Sequence, residues 1–189
     1  MNNKGFTLVE SLGSMVILGL LMALVIPNIV GLLNNSKEVT YVEDAKKMIN
    51  IAQNKVTMKK FALPTADNEC VFLGLGYLDN SEFQNPPYSG CYDVNRSFVV
   101  IKRESNEYKY YAQLVEYHDN GKFTGITTPI RSDLLNKDNV EEKGANEMTH
   151  FDYTSNSAGI VLGCKNPYKA ILTKSGTRVY TQAIGICSK

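Results

Sequence analysis

The sequence has no tryptophan and only two histidines, His118 and His150, among its 189 residues. Neither histidine has a second ligand or a triad partner at a recognisable spacing, so we expect neither a metal site nor histidine-based catalysis. A glycine-rich phosphate loop is missing as well, because Gly74-x-Gly76 is too short to form one. The sequence therefore predicts a protein that is not an enzyme and binds no cofactor.

The chain also lacks an excess of one charge, since its formal net charge is +1. No basic patch indicates nucleic acid, and the length fits one anchored domain of ordinary size. Acidic side chains between Arg131 and Ser157 could offer oxygens to calcium. They do not have the spacing of an EF-hand, so a solvated loop is the better interpretation.

Near the start, charge gives way to an apolar run from Ser11 to Val30, which is long enough to span a bilayer because spanning takes about 20 residues. Glu10 directly precedes this run, one turn after Phe6, and at membrane depth a carboxylate costs roughly 2.5–3.5 kcal/mol. No lysine or arginine lies between Phe6 and Gly31. We therefore expect no partner for Glu10 within its own helix: either a partner comes from elsewhere, or the side chain reaches the headgroups.

The segment Lys4-Gly5-Phe6-Thr7-Leu8-Val9-Glu10 resembles the class III signal of type IV prepilins and pseudopilins. Glycine precedes the bond that is cleaved in that family, phenylalanine follows it, and a glutamate lies five residues into the mature chain. Pro27 stands where the family has a proline that kinks the helix. The resemblance covers residues 1–61, and only the general layout of the rest is similar.

The resemblance implies that a prepilin peptidase cleaves between Gly5 and Phe6 and methylates the new amino group of Phe6. It implies a single-pass precursor in the inner or cytoplasmic membrane, and then a homo-oligomeric extracellular pilus that contains other pilins and serves adhesion or motility. An assembly ATPase and a membrane platform would drive the process. In the filament, Glu10 would meet the Phe6 amine of a neighbouring subunit and fix the register, because a slip would leave a charge unpaired.

Two alternatives stay open. One is a pseudopilin of a type II secretion or DNA-uptake system, which differs in the length of the assembly. The other is a single-pass adhesin or receptor that never polymerises, keeps its leader and tolerates substitution of Glu10.

The predicted fold class is α+β, with a long N-terminal helix packed on an antiparallel sheet as in pilins. We divide the chain into a leader (1–5), a membrane and polymerisation helix (6–30), an amphipathic continuation (31–61) and a globular head (62–189). Pro27 is expected to bend the helix, and Leu63-Pro64 to end it. The continuation presents an apolar stripe at helical spacing, formed by Val39, Val42, Ala45, Ile49, Ala52 and Val56.

The connector from Thr65 to Arg96 is rich in turn-forming residues and is predicted to be mainly loop. A three-stranded meander follows, with a turn at Ser105-Asn106 and a hairpin at Asp119-Asn120-Gly121. A short helix is expected from Ser132. The predicted strands are Ser97–Arg103, Glu107–His118, Lys122–Ile130, Ile160–Leu162, Lys169–Lys174 and Thr177–Ile186.

Four cysteines follow the membrane segment and would lie outside the cytoplasm: Cys70, Cys91, Cys164 and Cys187. An even number in that location indicates disulfides, with buried free thiols as the alternative. Of the three connectivities we favour two local loops, Cys70–Cys91 and Cys164–Cys187. No Cys-x2–4-Cys pair indicates zinc.

The chain has 11 tyrosines, and five of them lie on predicted strands. Packing on a pleated sheet is the expected role for strand tyrosines. An exposed adhesive strip formed by Tyr108, Tyr110 and Tyr111 is the less favoured hypothesis.

Overall fold

The computed structural model describes residues 7–58, 63–67, 69–78, 83, 85–94, 96–144, 147 and 160–161. It confirms the α+β class, with a long N-terminal helix and an antiparallel sheet. By its internal contacts the chain divides into two units, Met1–Ser36 and Lys37–Lys189. The elements in chain order are α1 (Leu8–Thr57), β1 (Cys70–Gly74), α2 (Leu75–Leu78), β2 (Cys91–Tyr92), β3 (Phe98–Glu104), β4 (Glu107–Tyr117), β5 (Lys122–Arg131), a 3-10 turn (Lys137–Asn139), β6 (Val140–Gly144) and β7 (Ile160–Val161).

The strands form one antiparallel sheet in the order β6-β5-β4-β3-β1-β7, and β2 pairs with β4. The predicted meander β3-β4-β5 is confirmed. Ser105 and Asn106 have φ values of 50° and 67°, which is the backbone that a two-residue hairpin of the right twist requires. Gly121 closes the second hairpin with a φ of 78°, and its N–H donates to the His118 carbonyl at 2.9 Å.

α1 continues through Pro27 as a single α-helix. From residue 37 onward, one of its faces covers the sheet. The buried residues of that face are Tyr41, Val42, Ala45, Met48, Ile49 and Ala52. The predicted stripe was wrong at one end, because Val39 is 42% exposed, and it omitted Tyr41 and Met48. Tyr41 can be buried because its hydroxyl donates to the Thr124 carbonyl at 2.9 Å.

Gly125 gives Tyr41 the space it occupies against β5. Its φ is +139°, and a Cβ at this position would lie 2.3 Å from the Leu114 carbonyl oxygen and 2.6 Å from Tyr41 Cε1. Only glycine fits both this backbone conformation and this close approach. Between Ala112 and Leu114 the β4–β5 register shifts.

The connector contains more regular structure than we predicted. All five residues of β1 are buried, so the strand has no polar alternation that would distinguish it from an apolar loop segment. The connector also contacts α1 through three lysines, each within 5.5 Å of an aromatic ring centroid. The pairs are Lys37 with Tyr88, Lys47 with Phe83 and Lys55 with Tyr77.

The partners occur in opposite order along α1 and along the connector. Lys37 and Lys55, which contact Tyr88 and Tyr77, are about 27 Å apart along the helix.

The helix predicted from Ser132 is wrong. Residues 132–134 form a turn, and Asn136 then caps the short 3-10 turn through its side chain. The chain continues into β6, a polar strand that pairs with β5 and that we did not predict because neither of its faces is apolar. β7 confirms the start of the predicted strand Ile160–Leu162, whereas the strands predicted at 169–174 and 177–186 lie outside the described residues.

Candidate functional site

The site that the sequence indicates lies at the start of α1, where Thr7 precedes the first helical residue. Glu10 Oε2 accepts a hydrogen bond from the Thr7 backbone N–H at 2.9 Å and another from the Thr7 hydroxyl at 2.7 Å. The Glu10 backbone N–H donates to Thr7 Oγ1 at 3.3 Å. These reciprocal bonds form a capping box, which satisfies two backbone donors that a helix start otherwise leaves free.

Glu10 therefore has a hydrogen-bonding partner in its own chain, whereas our expectation concerned a basic residue within its own helix. The partner is a residue just before the helix, Thr7, which we did not predict. The signal was present in the sequence, since Thr-x-x-Glu before an apolar run is the pattern of a capping box. Thr7 supplies hydrogen bonds but no charge, so the carboxylate is still without a cation in the described part of this chain.

The apolar residues that follow Glu10 are exposed throughout. Every large apolar side chain from Leu8 to Leu33 is between 48% and 78% exposed. By length and composition alone, α1 is the single helix in the described part of the chain that could cross a membrane. Pro27 belongs to this exposed stretch. Gly5 and Phe6, on either side of the predicted cleavage point, lie outside the described residues.

The histidines do not form a site within the described chain. His118 is partly buried, with 20% of its side chain accessible. Its Nε2 lies 3.4 Å from Glu116 Oε1 and 3.0 Å from the Thr124 hydroxyl. No group of three potential metal ligands occurs among the described residues, and His150 lies outside them.

Glu116 of β4 is fully buried beside the part of the connector that precedes β2. Its two carboxylate oxygens accept the backbone N–H groups of Gly90, at 3.0 Å, and of Tyr88, at 3.3 Å. Burial raises the pKa of Glu116, and these two hydrogen bonds offset part of that rise. The carboxylate thus holds the turn that leads into β2.

A second acid, Asp44 of α1, accepts a hydrogen bond from the Tyr92 hydroxyl at 2.6 Å. Burial raises the pKa of Asp44, and the Tyr92 hydrogen bond opposes the rise. Burial likewise raises the pKa of Tyr92. Both groups join elements of the head, and we assign them a structural role.

Three of the acidic residues considered for calcium pair with neighbouring basic side chains in the described part. Asp133 pairs with Arg131 at 2.5 Å, and Glu142 with Lys122 at 2.5 Å. Glu141 pairs with Lys143 and also accepts from the Thr127 hydroxyl. These carboxylates point to separate partners and do not converge on one centre.

The tyrosines at the start of β4 do not form one strip. Alternation along the strand places Tyr110 on the face that packs against the main core and Tyr111 on the opposite face. The Tyr108 hydroxyl donates to the Pro64 carbonyl, and the Tyr111 hydroxyl to Glu104 Oε1 at 3.1 Å. The adhesive strip is wrong because the residues face two different sides of the sheet.

Two of the predicted disulfide cysteines fall within the described residues, Cys70 in β1 and Cys91 in β2. Both are disulfide-bonded, and no described cysteine is a free thiol. Cys164 and Cys187 lie outside the described residues.

Comparison with known proteins identifies the N-terminal segment. Residues 1–26 match the family model of the prokaryotic N-terminal methylation motif. No curated protein and no solved structure gives a significant match to the chain. The start of the chain thus carries the class III prepilin signal found in type IV pilins and pseudopilins, and with the apolar helix it fits a membrane-anchored precursor.

Proposed function

We propose that this chain is the precursor of a filament subunit, a type IV pilin, and that it assembles through the apolar half of α1. The observation that carries the proposal is the combination at the start of the helix. A processing motif, a glutamate without a cation and an entirely exposed apolar stretch follow one another in register. This order serves a subunit that first resides in a membrane and later packs against copies of itself.

Maturation begins with removal of residues 1–5 by a prepilin peptidase, which then methylates the amino group of Phe6. Until that cut, Phe6 has an amide nitrogen and no positive charge. Cleavage creates a cation at the first residue of the mature chain, just before the first turn of α1. The resulting amine is the group that a neighbouring Glu10 lacks.

Assembly then changes the surroundings of Glu10. In the single chain its carboxylate is held by Thr7 through two hydrogen bonds. Among packed apolar helices the amine of Phe6 on the neighbouring subunit adds an opposite charge, and the low dielectric strengthens that pair. Packing out of register would leave both charges buried and unpaired, which costs roughly 3–5 kcal/mol.

The apolar half of α1 supplies the cohesion. The partners are other copies of this chain and related pilins, with the membrane as the earlier environment. A cytoplasmic ATPase and a membrane platform provide energy and a scaffold. The mature location is the cell surface, where the filament serves adhesion or motility.

The test is an intact-mass and N-terminal measurement of protein sheared from the cell surface. We expect a chain that starts at methylated Phe6 and is recovered as filaments. A chain that keeps residues 1–5 and stays entirely in the membrane fraction would instead identify a lone membrane-anchored adhesin or receptor. Short, unsheared assemblies of processed chain would identify the pseudopilin of a secretion or DNA-uptake system.

Substitutions separate the two roles of Glu10. We expect Glu10→Ala to reduce the filament yield by at least about 100-fold, as the loss of a buried charge pair implies. Thr7→Val removes the capping hydroxyl and keeps the carboxylate, so filaments should persist. Glu43→Ala is the matched control, because Glu43 is an exposed glutamate of the same helix outside the apolar stretch. Normal filaments from Glu10→Ala would refute the pairing with Phe6.

A further inference from the structure

The two described cysteines can be placed on a common reference strand, β4. Cys70 pairs with Lys102 of β3, and Lys102 pairs with Lys109 of β4. Cys91 pairs directly with Tyr117 at the other end of β4. Both cysteines are disulfide-bonded.

The strand register shows that they are not bonded to each other. Lys109 and Tyr117 are about eight residues apart, which is about 26 Å along a strand. The two Cα atoms of a disulfide lie within about 7 Å of each other. Our preferred loop Cys70–Cys91 is therefore wrong, and each of these cysteines needs a partner from the end of the chain.

The position of β7 decides which partner belongs to which cysteine. Val161 pairs directly with Cys70, and Cys164 follows only three residues later. Three residues reach at most about 11 Å. Cys164 is thus within reach of Cys70 but stays about 15 Å or more from Cys91.

We infer that the four cysteines pair as Cys70–Cys164 and Cys91–Cys187, the first with the third and the second with the fourth. The inference does not depend on filament assembly. Each bond forms when two thiols lose two protons and two electrons to the disulfide of a thiol–disulfide oxidoreductase outside the cytoplasm, which leaves as a dithiol. Cys70 and Cys91, about 26 Å apart along the strand direction, are thereby bonded to the end of the chain and not to each other.

This pattern agrees with the positions of the lysine–ring contacts. Tyr77 and Tyr88 contact lysines that are about 27 Å apart along α1, whereas a local Cys70–Cys91 bond would draw the two cysteines that flank these tyrosines together. Each proposed bond closes a loop of about 95 residues, against about 20 residues for the local alternative. The two proposed bonds therefore join the connector to the C-terminal part of the head.

The test is a disulfide map of the full-length protein, prepared with free thiols alkylated and without reduction. Trypsin alone is insufficient, because no lysine or arginine separates Cys70 from Cys91. Combined cleavage after glutamate, lysine and arginine separates all four cysteines. We expect peptide 70–82 joined to peptide 148–165, and peptide 83–96 joined to peptide 179–189. A bond between 70–82 and either of the other two, or four alkylated thiols, would overturn the pairing.

Paired substitutions give an independent readout in the same protein. Cys70→Ser with Cys164→Ser removes both partners of one proposed bond, so alkylation should find no free thiol. Cys70→Ser with Cys187→Ser removes one partner from each bond, so alkylation should find two. The reverse result would contradict the inference. Should a variant fail to fold, the map of the unaltered chain still decides.

Discussion

Apolar side chains of the same type are exposed near one end of α1 and buried near the other. Met15 is 70% exposed and Met48 is fully buried, although both are methionines of one continuous helix. Leaving all the large apolar side chains from Leu8 to Leu33 in water would cost on the order of 20 kcal/mol. That exceeds the free energy that holds a typical domain together, about 5–15 kcal/mol.

Apolar composition thus specifies the need for a partner and not its identity. Beyond residue 37 the sheet of the same chain meets that need. Before it, the large apolar side chains are exposed, and in the proposed filament other subunits cover them. This difference is the physical basis of the proposed filament, because apolar side chains that are already buried within the chain would gain no further burial from assembly.

We expect the largest difference between the two regions when one methionine in each is truncated to alanine. Met48→Ala should lower the free energy of unfolding by about 2–5 kcal/mol, because it leaves a cavity between α1 and the sheet. Met15→Ala should change it by less than about 0.5 kcal/mol, because this side chain is 70% exposed. Urea unfolding of the full-length protein in a mild detergent, followed by a signal of the head, measures both.

A reversed order, with Met15→Ala the more destabilising, would show that the apolar half contributes to the stability of the head. In that case the exposure of Leu8 to Leu33 could not serve as the argument for assembly. Filament yield is the complementary readout, and we expect it to respond to Met15→Ala.

Two glycine substitutions test which contacts stabilise the part of α1 that the sheet covers. Gly125→Ala should cost about 2–4 kcal/mol, since the new Cβ meets the Leu114 carbonyl and the Tyr41 ring at an unfavourable φ. Gly121 has a φ of +78° and nothing within 4 Å of the added atom. Gly121→Ala should therefore cost about 1 kcal/mol, for backbone strain alone. Equal losses in urea unfolding would mean that the contact with Tyr41 carries no weight.

The smallest expected effect is the change of the free energy of unfolding with pH that buried and exposed acids of the head cause. The pKa of Glu116 is raised in the fold by burial, so the folded chain takes up this proton at a higher pH than the unfolded chain does. Its contribution to the free energy of unfolding therefore rises as the pH falls from neutral towards the ordinary glutamate range. The exposed Glu107 acts in the opposite direction, because its hydrogen bond with Lys109 lowers its pKa.

Comparison with Glu116→Gln isolates the Glu116 contribution from the other acids. The variant lacks this gain between about pH 7.5 and about pH 5, so the difference in free energy of unfolding should grow in favour of the unaltered chain. The glutamine side chain of this variant, with a single acceptor oxygen, would also leave one of two backbone donors without an acceptor, at a cost of about 1–3 kcal/mol at either pH. A difference that shrinks on acidification would reverse our assignment of the sign.

Much of the fold could be predicted from local patterns. The long helix, the meander and the turn at Ser105-Asn106 follow from periodicity and turn chemistry, which are local properties of the backbone. β1 was missed because both of its faces are buried, and β6 because neither face is apolar, so neither strand shows alternation. At the site, the sequence shows that no lysine or arginine lies near Glu10 in the helix. The hydrogen bonds of Glu10 to Thr7 also follow a sequence pattern, Thr-x-x-Glu, but we did not predict them.

The sequence by itself determined where the processing motif lies, which stretch is apolar and how many cysteines follow it, because motifs, hydropathy and counts are properties of consecutive residues. Only the tertiary structure decided which half of α1 is covered and which cysteines can meet. Those outcomes depend on strand order and register, and these bring together residues far apart in the chain, such as Cys70 and Val161, and keep apart Cys70 and Cys91.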